Sequence, residues 1–148
     1  GRIEAYVERL RGFGQHVRVY EEPLEGHRSE RAREFPLTMI TSHPMHTVHS
    51  QHVNLPWIRE LVPGPRLEIH PDDAGPRGSN DRGRFTVLAT VTPAVRRGSV
   101  NLPQGWWPRH LPGGHYQSLA HLTPNPVQDA ILETNYAIFD NLVEVERA

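Results

Sequence analysis

Residues 79–93 read SNDRGRFTVLATVTP. The segment Asn80-Asp81-Arg82-Gly83 carries residue types that take tight turns, Asn and Asp by bonding their own backbone and Gly by tolerating positive φ. Beyond it, Phe85, Val87, Ala89 and Val91 alternate with polar or opposite-face residues. A period of two, carried by aromatic and β-branched residues, belongs to a strand with one face on a core. This turn-then-strand reading makes the chain a builder of sheet.

The neighbouring segments repeat the pattern. RRGSVNLPQGWW (96–107) gives another turn and strand, and RLEIHP (66–71) alternates. FPLTMIT (35–41) is a β-type run, and NLVEVER (141–147) is a closing strand. LPWIREL (55–61) predicts one or two helical turns from Pro56, because proline is pre-set for the first helical position. DDAGPRG (72–78) predicts a turn or short helix with Asp72 and Asp73 as caps. Residues 1–20 fit either a helix, through Ile3, Tyr6, Val7, Leu10 and Phe13, or a short strand. Residues 21–34 are charged without periodicity and read as an exposed connector, and 108–130 read as loop. The 14 prolines and 12 glycines punctuate many short strands, so a compact β-barrel with a few helical turns is expected.

Composition narrows the chemistry. The 148 residues suffice for one domain, and the absence of cysteine excludes thiolate metal sites and a Cys nucleophile within the chain. All 16 basic residues are arginine, yet the formal net charge is −1, so no bulk field favours nucleic acid. No apolar run approaches the length of a membrane span. The chain starts at Gly1 without a Met, which reads as a fragment or a processed product.

One stretch demands chemistry of its own. SHPMHTVHSQH (42–52) places His43, His46, His49 and His52 three residues apart. On an α-helix four such side chains fan over half the circumference, in a strand they alternate faces, and Pro44 spoils a helix around His43. Only an uncommonly long 3₁₀ column would align them on one metal ion; beside that reading stand a solvated loop and a ligand loop after a strand, whose neutral donors and acceptors suit a heterocycle or a phosphate. In QGWW (104–107) one tryptophan is expected in the core and the other as a stacking wall. In PGGHYQS (112–118), Gly113 and Gly114 permit close backbone approach to a ligand, with a plain loop as the alternative. No Ser–His–Asp triad, Walker loop or GxGxxG is identifiable, so no catalytic residue is assigned.

Five segments in order resemble the C-terminal domain of the molybdopterin oxidoreductase superfamily, the dimethyl sulfoxide reductase type. They are GRIEAY (1–6), FPLTMITSHPMHTVHSQHVNLPWIREL (35–61), LEIHPDDAGPRG (67–78), NDRGRFTVLATVTPAVRRGSVNLPQGWW (80–107) and FDNLVEVER (139–147). The resemblance implies a mainly β fold with short helices, a six-stranded double-psi β-barrel of the aspartate decarboxylase-like type. It implies an N-terminal connector over 1–34, leading from upstream domains, and the barrel over 35–148. Only Ser79 stands between Gly78 and Asn80, where the family carries about ten residues forming a strand. Either the barrel lacks that strand or a segment is missing.

By the same resemblance the domain binds bis(molybdopterin guanine dinucleotide), with Mo or W, jointly with upstream domains of the same catalytic subunit. The carried-over cofactor-binding positions are Ser42, His43 and Pro44, then His49, Ser50 and Gln51, then Gly114, Gln117 and Ser118, with Gln117 replacing the family's Asn. His46 and His52 are incidental on this reading, and no metal ligand is assigned. The chain alone is expected to be inactive. An iron–sulfur electron-transfer subunit is a further implied partner; nucleic acid and a membrane span are not. Two alternatives stand beside it, a small β-barrel interaction module without cofactor and a His-dependent metal hydrolase. Substrate and location, cytoplasmic or periplasmic, are left open.

Overall fold

The turn at 80–83 forms in the computed structural model, which describes residues 5–17, 19–20, 22–74, 78–121 and 141–146. Strands β3 (Gly78–Asn80) and β4 (Gly83–Thr86) pair antiparallel around the two-residue turn Asp81-Arg82. Asn80 explains why the turn holds. Its side-chain oxygen accepts from the Arg82 and Gly83 N–H groups, at 3.0 and 3.2 Å, and its amide donates to the carbonyls of Leu119 and Leu142, at 3.0 and 3.3 Å. A buried carboxamide satisfied on both sides fixes the hairpin to two other segments.

The other strands are β1 (Leu37–Ile40), β2 (Arg66–Ile69), β5 (Leu88–Val91), β6 (Ser99–Asn101), β7 (Gly113–Gly114) and β8 (Asn141–Val145). They form one mixed sheet in the order β5-β2-β6-β1-β8-β3-β4-β7, with β5 and β7 as its outer members. β1 with β6 and β2 with β5 are parallel; the other pairs are antiparallel. The five segments expected as strands are strands, and α1 (Pro56–Leu61) starts at its proline. Where the resemblance left a missing strand, β8 pairs directly with β3, Ser79 opposite Glu144. The short Gly78–Asn80 segment bridges β8 and β4 without an inserted strand.

Leu37, Met39, Leu67, Ile69, Phe85, Val100 and Val143 lie together in the core, each on the covered face of its strand. Burial of each such side chain contributes roughly 1.5–3 kcal/mol. Trp106, Tyr116 and Leu119 close the same core from the segment after β6.

Three expectations are corrected. The alternation of the opening stretch does not run through to Val91: Phe85 and Val87 are buried, but Ala89 is exposed and Val91 is 56% exposed. The chain leaves β4 at Thr86 and becomes an outer strand beside β2, where less of it is covered. The cap before Pro71–Asp73 is His70, whose Nδ1 accepts from the Asp72 N–H at 3.2 Å, while Asp73 accepts from the Gly98 N–H at 2.7 Å. The segment 21–34 is not simply exposed. Glu25 is buried and receives two hydrogen bonds from Arg82, at 2.6 and 2.9 Å, and one from the Leu142 N–H, at 3.0 Å. Pairing of charges, not an apolar face, holds it, so hydrophobic periodicity gave no signal. Within 1–20, Glu8–Phe13 forms a 3₁₀ helix. The expectation of loop at 108–130 falls partly on 122–130, outside the described residues; before them run two short 3₁₀ turns and β7.

Candidate functional site

Two loops leave neighbouring strands at the same end of the sheet. One follows β1 and contains the histidine stretch; the other follows β6 and contains Gln104 to Trp107. They are parallel neighbours because β1 and β6 are paired parallel. The Gln104 N–H donates to the Ser42 carbonyl at 2.9 Å, extending the strand contact into the loops. Farther along, the Gln51 N–H donates to the Val48 carbonyl at 2.9 Å, closing a tight turn over His49 and Ser50. His49 and His52 have positive φ, 50° and 69°. Backbone in this region is uncommon for residues with a side chain and collects at ligand-binding loops. Trp107 Nε1 reaches the Ser50 carbonyl at 3.4 Å.

Between these loops and the 113–119 segment lies a cavity of about 510 Å³. Its apolar lining includes Met39, Trp106, Pro108 and Tyr116; its polar lining includes His49, Ser50, Gln104, His115 and Gln117. The size falls within the range of small-molecule sites. Among the described residues, none of those lining it is a carboxylate.

The polar groups are aimed by short-range bonds. His115 Nδ1 accepts from the Gln117 N–H at 3.3 Å, and its Nε2 lies 3.0 Å from the Trp106 carbonyl. A donor at one nitrogen and an acceptor at the other assign the proton to Nε2. Its ring stacks on Tyr116 at 4.3 Å, and the Tyr116 hydroxyl accepts from the Gly105 N–H at 3.2 Å. Gln104 Nε2 lies 3.2 Å from His49 Nδ1 and 3.1 and 3.2 Å from the two His43 nitrogens. On the outer rim, His110 Nδ1 accepts from the Trp107 N–H at 3.1 Å and Nε2 meets Asn54 Oδ1 at 3.1 Å. Burial first, then the charges of Arg59 and Arg109, hold the His110 imidazole below its ordinary pKa.

Of the positions expected from sequence, His49, Ser50 and Gln117 line the cavity. Ser42 and His43 are joined to it through Gln104. Pro44, Gln51, Gly114 and Ser118 are not among its lining residues. Gly114 answers to packing: at φ 69° a Cβ there would lie 2.2 Å from the Arg84 carbonyl oxygen. Ser118 backs onto Gly83, where a Cβ would come within 3.0 Å of it. Trp106 is the core tryptophan, and Trp107 is 45% exposed beside the cavity with the Arg109 guanidinium over its ring. Sequence reasoning missed Gln104 and His115. Gln104 stands in QGWW with no periodicity to mark it, and its proximity to His49 is a product of strand pairing. Among the described residues no three His, Asp or Glu side chains are grouped to hold a metal ion.

Neutral amides, imidazoles and a hydroxyl around an aromatic floor fit a polar, flat heterocycle. The arrangement can bind and orient such a group.

That chemistry defines a ligand-holding β-domain. Residues 37–138 match the family model described as the molydopterin dinucleotide binding domain, and the chain belongs to that family. It is a cofactor-binding domain of the molybdopterin, dimethyl sulfoxide reductase type. The chain is 37% identical over 138 residues to a putative dimethyl sulfoxide reductase catalytic chain of Halobacterium salinarum, covering 85% of this chain and 16% of that protein. It is 34% identical over 109 residues to dopamine dehydroxylase of Eggerthella lenta, covering 66% and 11%. Acetylene hydratase from Pelobacter acetylenicus has the same fold over 97% of this chain and 23% of its own, with TM-score 0.69 and 19% identity. The chain thus spans a small part of the length of the proteins it resembles.

Proposed function

We propose that this chain holds bis(molybdopterin guanine dinucleotide), carrying Mo or W, within an oxidoreductase whose other domains complete the site. The observation that carries the reading is a 510 Å³ cavity lined by imidazoles, amides and aromatic rings, built by the loops that the family match spans. When bound, the cofactor supplies the redox chemistry; this chain contributes position and electrostatics. His49, Ser50, Gln117 and His115 offer neutral hydrogen bonds to the heterocycle and its phosphates. Ser42, His43 and Pro44 form the entry to the loop, and Gln51 closes the turn that presents His49 and Ser50. Gly114 and Ser118 support the same wall from behind, against β4.

The finer fold reading is a double-psi barrel, supported by two parallel pairs set within an otherwise antiparallel sheet. Its domain is 35–148, with 1–34 as connector, and Glu25 links the two. Upstream domains of the same subunit, and an iron–sulfur electron-transfer subunit, are the partners this reading implies. The relatives' names span reduction of a sulfoxide and removal of a hydroxyl, so the substrate is set outside this domain.

The test uses the intact protein. His49→Ala and Gln117→Ala are expected to weaken retention of the molybdopterin dinucleotide by about tenfold, the effect of one lost hydrogen bond to a charged partner. His43→Ala and Gln51→Ala follow in the same direction. His46→Ala and His52→Ala leave retention near wild type, by pterin and metal content. Equal losses in all four histidine variants, restored by zinc, would replace the cofactor loop by a metal site.

A further inference from the structure

Gln104 is the point where the two cavity loops meet through a side chain. An amide nitrogen only donates. On His49 it meets a single ring nitrogen, Nδ1, at 3.2 Å. An imidazole that accepts at Nδ1 carries its proton on Nε2. His43 also lies against this amide, nearly equidistant from it through both ring nitrogens, and packs against His49 with ring centroids 5.1 Å apart. One amide therefore biases the His49 tautomer while His43 backs the ring. The backbone under this arrangement is held independently, by the Gln104 N–H on the Ser42 carbonyl and by Gly105 against His49.

We propose that Gln104 is a positioning residue: its carboxamide fixes the His49 tautomer, so that Nε2–H serves as a neutral donor to an anionic oxygen of the cofactor. The inference rests on the cofactor reading of the cavity. A neutral imidazole donor recognises a phosphate without requiring protonation, and the wrong tautomer would set a lone pair against the anion. Gln104→Met keeps the length and removes the donor. Gln104→Glu keeps the shape but offers only an acceptor, which draws the proton of His49 onto Nδ1.

The experiment has two readouts on the intact protein. The first is the ¹⁵N chemical shifts of the His49 ring nitrogens, which report the tautomer. The second is the rate at which bound molybdopterin dinucleotide is lost, followed by pterin fluorescence after release. The expected result is an Nε2–H tautomer in wild type, a mixed population in Gln104→Met, and Nδ1 protonation in Gln104→Glu. Loss of cofactor should quicken roughly fivefold in the Met variant and more in the Glu variant. Unchanged tautomers in both variants would overturn the positioning role, whatever happens to cofactor. Changed tautomers with wild-type release would overturn the aim of His49 at the cofactor, and with it this use of the cavity. A thermal midpoint equal to wild type in Gln104→Met identifies a folded variant, and Gln104→Asn supplies a second shortened-donor variant if the Met protein unfolds.

Discussion

Gly105 meets the backbone of His49 with no side chain between them. A Cβ there would lie 2.0 Å from the His49 carbonyl oxygen, and φ is 101°, a conformation side chains rarely adopt. Gly105→Ala must therefore push the two cavity loops apart. The expected cost is about 1–3 kcal/mol of stability, with lower cofactor content in the same protein. A denaturant midpoint and cofactor load indistinguishable from wild type would contradict this. Asn80 works in the opposite sense, by satisfaction instead of space. Asn80→Ala leaves the carbonyls of Leu119 and Leu142 without that donor and frees two turn N–H groups, so a loss of about 2 kcal/mol or more is expected. Thermal unfolding of the variant measures it.

Among the elements, the β3–β4 hairpin connects most widely. Arg82 in its turn donates to the Leu119 carbonyl at 2.8 Å and forks onto Glu25. Burial pushes the Glu25 carboxyl up, but the Arg82 and Leu142 hydrogen bonds, with the charges of Arg82 and Arg31, outweigh it and hold the group below the usual carboxylate range. A lowered folded pKa gives stability that is fully present above the unfolded value, about 4.3, and is lost as pH falls through the folded one. Glu25→Gln should cost about 2–3 kcal/mol at pH near 7, and the gap to wild type should narrow in acid. Urea titrations at both pH values decide it; a gap that widens in acid would refute the sign. The Arg31–Asp81 pair beside it has an exposed carboxylate and adds little. This network also marks the limit of what sequence shows. Strands announced themselves through alternation, and α1 through Pro56, because burial and proline geometry are local. Glu25 sits 57 residues from Arg82, and no periodicity connects them. Gln104 and His43 are 61 residues apart for the same reason. Family resemblance supplied the His49, Ser50 and Gln117 positions, while only strand pairing revealed their neighbours.

At the scale of the whole molecule, the last strand is an inner one. β8 lies between β1 and β3, with Leu37 opposite Val143 and Gly78 opposite Val145. Its Leu142 and Val143 are almost fully buried. Ending the chain at residue 140 should therefore abolish the fold, not trim it: far-ultraviolet circular dichroism should lose its β signal, and retained cooperative unfolding would disprove the point. The same placement carries a consequence in time. On the ribosome, Ile40 is made about 100 residues before Asn141, and synthesis at roughly 5–20 residues per second sets a wait of roughly 5–20 s. Through that interval the β1 edge meant for β8 stays open to any passing strand.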